Sequence, residues 1–426
     1  MIDIPREAEE LLQVLYNKGY DAYIVGGFVR DYLLKTKAKD LDICTSAKVE
    51  ELIKIFKDYK LFKTGLRHNT LTVLINDYTI EVTTYRARDL KHDLLNRDFT
   101  INSLAYSPKT GIIDVSGGVA DIKNKIIRIN GKSDKVLIDD PLRILRAIKF
   151  SIKYNFVIDD KTKQYLFKNK DLLRNVSVER INAEFSEVIT LSNFIDAFKE
   201  YFAIITVFIP ELGEIENFAQ HSPYHIYDCL NHTFKVMENV SDNLLIRLSA
   251  LFHDIGKPKT FTLDEKGIGH FYGHYKESVE IAKKVLKRLK YDKETIFRVK
   301  ELIYYHDYSL PMNKKSARKL LYKFGLIDIE LLYELKKADL SAQNPDYFYM
   351  FADIEKSWNI IESVKEDCFS LQNLDIKGAD IINMGISNGK EIGQLLNKVL
   401  ELVVEGKVEN KKEELLREAR KLIKIK

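Results

Sequence analysis

The sequence predicts an α+β multidomain chain, with an α/β head of mixed strands and helices followed by an all-α body. Three observations carry that reading. Up to about residue 130, short apolar runs (AYIVG, TLTVLI, TIEVTTY, KIIRI) alternate with helical patterns and turn signals such as GG and KTG. After about residue 135 strand signals nearly vanish. Long helical stretches such as PLRILRAIKFSIKY, VERINAEFSEVITL, ESVEIAKKVLKRLK and KKEELLREARKLIKI follow. Seven of the nine histidines lie between His221 and His306, which sets that stretch apart as a metal-binding or catalytic module.

Composition bounds the function classes. A chain of 426 residues makes roughly two to four domains with ample core. Hydrophobic residues at 45% and charged residues at 31% describe a soluble globular protein. A net charge of only +4 leaves no basic tail, so nucleic-acid contact must come from local patches. Cys44, Cys229 and Cys368 are too far apart for a disulfide framework or a CxxC metal site, which suits a reducing cytosol. The start, MIDIPREAEELLQVL, reads as an acidic amphipathic helix and not a signal peptide, and no apolar run is long enough for a membrane. A cytoplasmic protein with no membrane partner is expected.

The head carries IVGGFVRDYLLKTKAKDLD, from Ile24 to Asp42. Gly26 and Gly27 lack a Cβ, so backbone N–H groups at a helix start can approach phosphates, and Arg30 follows about one turn later. Asp40 and Asp42 alternate on a strand, so both carboxylates reach one face as hard oxygen ligands for Mg²⁺. Either half alone is common as a turn or a solvated edge. Joined by a predicted helix, they outline a nucleotidyl-transfer site.

The segment DDPLRILRAIK places Asp140, Arg143, Arg146 and Lys149 at successive i+3 steps, on one helical stripe. An acid can accept from the exocyclic amine of cytosine or adenine, and an arginine can donate to the neighbouring acceptors. Asp140 before Pro141 equally fits a helix N-cap, in which case the stripe is a solvated face. Asp139 is an alternative cap that would free Asp140.

The motifs GGFVRD…DLD, EVTTYR, NRDFTINSLAY, DDPLRILRAIKF and SVERINAEF occur in the order seen in class II tRNA nucleotidyltransferases. These are the bacterial CCA-adding enzymes and their poly(A) polymerase relatives, with a polymerase-β-like head. The stretch from Leu374 onward resembles the tRNA-binding tail of the branch that carries an HD domain. The resemblance implies that Asp40 and Asp42 hold catalytic Mg²⁺, and that Gly27 and Arg30 hold the triphosphate. It further implies that Arg97 contacts the nucleotide, that Asp140 and Arg143 act as a protein template, and that Arg146 and Lys149 support base and phosphate. It also implies domains over 1–132 (nucleotidyltransferase head), 133–215 (base-recognising neck), 216–350 (HD domain) and 351–426 (tail).

Asn96, Asp139 and Lys149 depart from the family pattern, Lys149 losing the bidentate fork of a customary arginine. Only ten residues separate Arg86 from Arg97. Full CCA-adding enzymes have a longer segment there, with a flexible loop tied to the switch from CTP to ATP. The short version resembles the CC-adding branch, which leaves the terminal A to a partner enzyme.

In the body, His232, His253, Asp254, His274, His306 and Asp339 follow the order of the two-metal HD phosphohydrolases, with His270 and Asp307 as alternative neighbours. Such a set would hold a divalent transition metal and hydrolyse phosphate esters, 2′,3′-cyclic phosphates at RNA ends among them. The basic runs KKSARKLLYK and KLIKIK are candidates for tRNA phosphates, although such runs are commonly solvated helix faces. The expectation is therefore a tRNA 3′-end nucleotidyltransferase using CTP, and ATP if the full CCA end is made. The rivals are a complete CCA-adding enzyme, a poly(A) polymerase, and an HD phosphohydrolase with the head as RNA-binding scaffold.

Overall fold

Contacts divide the chain into two units, Met1–Phe208 and Ile209–Lys426. The structure is a computed structural model that describes residues 2–424 apart from Lys37, Lys39, Asp40, Thr64, 66–68, Lys132 and Cys368.

The first unit opens with helix α1 (Arg6–Asn17), whose Ala8, Leu11, Leu12 and Leu15 recur at helical spacing and are buried. Strand β1 (Ala22–Val25) turns at Gly26 into α2 (Gly27–Leu33). Gly26 sits at φ 69°, a left-handed conformation that a side chain would strain. Next come β2 (Leu41–Thr45), α3 (Val49–Ile55), β3 (Lys60–Phe62), β4 (Thr70–Ile75) and β5 (Tyr78–Thr84). A short α4 (Leu90–Leu95), capped by the Asp89 side chain, precedes β6 (Leu104–Ser107), β7 (Gly111–Asp114) and α5 (Gly118–Asn124).

Among the described residues these strands form a seven-stranded sheet in the order β3-β4-β5-β2-β1-β6-β7. The β2–β5 pair is parallel and the others antiparallel, so the sheet is mixed. The parallel register sets Asp42 opposite Glu81. The predicted strand KIIRI shrinks to β8 (Ile126–Ile127). Helices α6 (Lys135–Asp139) and α7 (Arg143–Tyr154) then lead to β9 (Val157–Ile158), which pairs with β8 outside the main sheet. Helices α8 (Asp160–Asn169), α9 (Val178–Thr190), α10 (Phe194–Glu200) and α11 (Phe202–Ile205) complete the unit. Ile144, Leu145, Ala147 and Ile148 bury one side of α7.

The second unit is helical, as the pattern predicted: α12 (Cys229–Glu238), α13 (Leu244–Phe252) and α14 (Lys257–Thr260), then a hairpin of β10 (Thr262–Leu263) and β11 (Gly269–His270). Helices α15 (His274–Arg288), α16 (Lys293–Tyr305), α17 (Lys314–Ser341) and α18 (Phe351–Glu362) follow. Gly325, at φ 70° and ψ 171°, kinks α17 and so re-aims its C-terminal half, which carries Asp339. The tail helices α19 (Gly378–Ile382), α20 (Gly389–Val404) and α21 (Lys412–Lys424) share a small core of their own around Ile381, Val399, Leu400 and Leu415. No described helix is long and apolar enough to cross a membrane.

One close approach positions the head. A Cβ on Gly118 would lie 2.2 Å from the Thr100 carbonyl oxygen, so α5 seats directly on the turn Thr100–Asn102. Gly118→Ala should therefore destabilise the protein by at least about 2 kcal/mol. Urea unfolding checks this, and an unchanged midpoint contradicts the packing.

Candidate functional site

A cavity of about 770 Å³ in the first unit is lined by Gly26, Gly27, Arg30, Asp42, Arg97, Asp140, Arg143, Arg146 and Lys149, with further residues named below. The residues predicted for nucleotide binding thus come together. Asp40 lies outside the described residues. Eight of the lining side chains are Lys or Arg and four are Asp or Glu, a balance suited to a polyanion.

The strand–Gly-Gly–helix turn forms one part of the lining. A Cβ on Gly26 would come within 2.9 Å of the Arg97 guanidinium, so glycine leaves room for that cation. Arg97 pairs with the buried Asp93 at 3.3 Å, and the same carboxylate accepts the Arg86 N–H at 2.8 Å. Arg30 is itself buried. It pairs with Asp31 at 2.7 Å, donates to Asn102 Oδ1 and lies 4.8 Å from the Tyr154 ring centroid.

Another part of the lining comes from the residues predicted to read a base. They do not share one helical stripe. Helix α7 begins at Arg143, and Asp140 stands before it in extended backbone, φ −146° and ψ 96°. The physical reason is Pro141, which disfavours helical geometry in the residue before it. Asp140 Oδ1 accepts the Leu142 N–H at 3.3 Å in the turn ahead of α7, and the residue lines the cavity. Its other oxygen accepts from Arg180 of α9 at 2.8 Å. Asp139 ends α6 and is no cap for α7. Arg143 donates to the carbonyls of Val136 and Asn96 at 3.0 and 3.4 Å.

Arg146 and Lys149 are committed to neighbouring acids. Arg146 makes a forked pair with buried Asp98 at 2.8 and 3.0 Å and approaches Glu184 at 3.6 Å. Lys149 is buried between Glu184 at 2.6 Å and Glu187 at 3.1 Å. Their positions suit fixing α7 against α9. Burial alone would raise the Asp98 carboxyl, but the Arg146 charge, the Asn102 amide and the Phe99 N–H outweigh it and hold it below the ordinary carboxylate value.

Sequence reasoning passed over Glu81, Asn102, Arg180 and Lys153. Glu81 needed the parallel pairing of β2 with β5, which strand patterns alone do not reveal. Arg180 and Glu184 had a signal, since their spacing in SVERINAEF puts both on one face of α9.

The second unit gathers all six predicted ligands into two groups, His232, His253 and Asp339, and Asp254, His274 and His306, with ligand atoms of each group within 4.8 Å of one another. Asp254 belongs to both. Its Oδ2 lies 3.4 and 3.2 Å from His232 and His253, and its Oδ1 3.3 and 3.8 Å from His274 and His306. Each histidine turns its Nδ1 to a backbone carbonyl, of Ala342, Ala250, Phe271 and Ile303 respectively, at 2.6 to 3.3 Å. That hydrogen bond favours the tautomer with a lone pair on Nε2, facing the cluster, as metal ligation requires.

Burial pushes His306 down to about 3, so its imidazole is neutral. Burial would raise the Asp339 carboxyl, but the His232 hydrogen bond and charge hold it well below the carboxylate range. The donor set fits one or two divalent cations. His270 instead pairs with Asp264 at 3.0 Å on the β10–β11 hairpin. Lys257, Gln220 and His225, unflagged by sequence, adjoin the cluster: the Lys257 amine lies 2.6 Å from Asp254 and 2.7 Å from Gln220.

Residues 22–128 match the poly A polymerase head domain, residues 155–212 a probable RNA- and SrmB-binding site of polymerase A, and residues 261–419 a putative tRNA nucleotidyltransferase domain 2. A CCA-adding enzyme of Lactobacillus helveticus is 30% identical over 96% of this chain and 95% of its own length. A Bacillus velezensis CCA-adding enzyme is 28% identical over 96% of each. The fold is similar to the Bacillus stearothermophilus CCA-adding enzyme in complex with CTP, with TM-score 0.68, 24% identity and coverage of 99% and 98%. It is also similar to the Thermotoga maritima CCA-adding enzyme complexed with tRNA, with TM-score 0.59, 22% identity and coverage of 99% and 96%.

The Asp98–Arg146 pair generates a signed prediction. A folded-state value below the unfolded one stabilises the protein fully above about pH 4 and loses that contribution as pH falls through the lower folded value. Asp98→Asn should cost about 2 kcal/mol at pH 7. Urea unfolding across pH should show the gap to wild type narrowing below about pH 4; a gap independent of pH contradicts the pairing.

Proposed function

Because the chain belongs to the family of CCA-adding enzymes, we propose that it adds cytidylate to the 3′ end of tRNA from CTP without a nucleic-acid template. The observation that carries this reading is that one cavity is lined by Gly27 and Arg30 together with Asp140 and Arg143, residue types that would take a nucleotide's phosphates and its base. In the reaction the tRNA 3′-hydroxyl oxygen bonds to the α-phosphorus, the α–β phosphoanhydride bond breaks in line, pyrophosphate leaves with the bonding electron pair, and the hydroxyl proton passes to solvent water. Asp42, Asp40 two residues before it, and Glu81 across the strand pair are oxygen donors of the kind that would hold Mg²⁺. When bound, Mg²⁺ supplies charge neutralisation at the phosphates and acidifies the attacking hydroxyl.

The chain's own residues do the rest. Arg30 and Arg97 hold the triphosphate. Asp140 accepts from the cytosine amine and Arg143 donates to the ring acceptors, which refuses uracil. Arg180 holds the Asp140 carboxylate in place. Lys149 and Arg146 act through Glu184 and Asp98, as buttresses of α7. The acceptor stem and T arm of tRNA would be read by shape and phosphates. We retain the finer division into head (1–132), neck (133–215), HD domain (216–350) and tail (351–426), in the cytoplasm where tRNA is processed.

The segment from Arg86 to Arg97 folds into the six-residue helix α4 on an Asp89 cap, supporting a site without a long mobile loop between them. That favours addition of two cytidines, with the final A left to a separate A-adding enzyme. The geometry of the histidine cluster favours a second activity, hydrolysis of phosphate esters at RNA 3′ ends in the manner of HD enzymes. Water would bond to phosphorus, one ester P–O bond would break, and the leaving oxygen would take the proton, a divalent transition metal supplying Lewis acidity when bound.

One gel tests the first reading: tRNA transcripts ending at the discriminator base or in CC, incubated with CTP, ATP or both. Two-residue extension with CTP and no extension of the CC-ended tRNA with ATP is expected. Addition of A to the CC end overturns the CC assignment, and no extension with any nucleotide overturns the transferase reading.

A further inference from the structure

The turn Pro345–Met350 buries none of its residues although it reads PDYFYM. Tyr349 is 70% exposed, and Phe348 and Met350 are exposed too. Apolar side chains collected unburied on a turn mark a binding surface more than a folding element. Tyrosine rings follow one another: Tyr347 lies 4.4 Å from Tyr224 and 6.4 Å from Tyr349, centroid to centroid, with planes tilted by 45° and 40°, a short stepped ladder of rings.

The ladder is fastened to the histidine cluster. Asn344 donates its N–H to the Tyr224 carbonyl at 2.8 Å and its side-chain amide to the Pro223 carbonyl at 3.1 Å. Two residues earlier, the Ala342 carbonyl faces His232 Nδ1 at 3.3 Å, and Gln343 donates to Asp339 at 3.4 Å. On the other side of Tyr224, the His225 ring packs 5.0 Å from that of His232, and its Nδ1 is buried with no hydrogen-bond partner among the described residues. The segment 342–344, whose Ala342 carbonyl and Gln343 side chain contact two ligands of the cluster, thus also holds Tyr224 through Asn344.

We propose that Tyr224, Tyr347 and Tyr349 form a base-stacking platform, and that the cluster's substrate is a single-stranded RNA end at least two nucleotides long. The proposal rests on the phosphohydrolase reading of the cluster and goes beyond it by setting chain length. Every base has a π-face, so tyrosine faces bind a strand without sequence preference. The phosphate end would lie towards the histidines and Lys257, and the preceding bases along the ladder. A free mononucleotide or a simple phosphodiester would forgo the ladder.

The test uses the full chain with Mn²⁺. Rates are compared for a trinucleotide ending in a 2′,3′-cyclic phosphate and for bis(p-nitrophenyl) phosphate. Separately, a 4-thiouridine trinucleotide with a 3′-phosphorothioate is photo-crosslinked and the peptides mapped. The ratio of kcat/KM for trinucleotide over ester should fall about tenfold in Tyr349→Ala and recover in Tyr349→Phe, because stacking needs the ring and not the hydroxyl. Crosslinks should map to Tyr224 or to residues 345–350. Ester hydrolysis with an unmoved ratio overturns the platform and leaves the metal centre standing. Failure to hydrolyse either compound overturns the phosphohydrolase reading; crosslinks on the ladder then still support the platform, and crosslinks elsewhere only overturn it.

Discussion

The Asp98 carboxylate is the constraint on which the nucleotide site depends. One oxygen takes both the Phe99 N–H and the Asn102 amide, and the other takes the Arg146 fork. Asn102 in turn accepts from Arg30, and Arg146 leads through Glu184 to Lys149. A single buried anion therefore ties α2, the Thr100–Asn102 turn, α7 and α9 into one network. Its consequence is metric. Arg30, proposed to hold phosphate, and Asp140 and Arg143, proposed to read the base, are thereby tied to one frame, and catalysis by positioning demands that rigidity. The network also explains why the cavity stays strongly cationic without collapsing: each buried cation within it has a named acid nearby.

How much of this the sequence revealed follows from the range of the interactions. Local signals read well. The Gly-Gly turn, the helix of basic residues after Pro141, and the shift from alternating to helical periodicity near residue 135 all concern neighbours in the chain. Long-range pairing did not read. Glu81 faces Asp42 because β2 and β5 run parallel, and Arg180 faces Asp140 because α9 packs on α7; neither follows from spacing within one segment. The stripe from Asp140 to Lys149 failed at its first member, where Pro141 forces extended backbone. Arg146 and Lys149 pointed to ligand chemistry in the sequence, while in the fold their charges meet Asp98, Glu184 and Glu187.

The second unit shows the same division. Six ligands in the right order anticipated the cluster, yet its central feature is geometric: Asp254 sits astride both groups, one oxygen to each. That arrangement needs α12, α13, α15, α16 and the C-terminal half of α17 to converge, and the Gly325 kink is what turns α17 towards it. The four Nδ1-to-carbonyl contacts come from backbone at the ends of helices or just beyond them, so ligand tautomers are set by the fold and not by the titration of the imidazoles.

The central claim is that side chains replace a nucleic-acid template. The most direct measurement is the incorporation ratio of CTP over UTP on a tRNA lacking its 3′ end, in wild type and in the Asp140→Ala/Arg143→Ala double variant. The account predicts that the variant still transfers nucleotides but loses most of its preference for CTP. A double variant that selects CTP as strictly as wild type would contradict it.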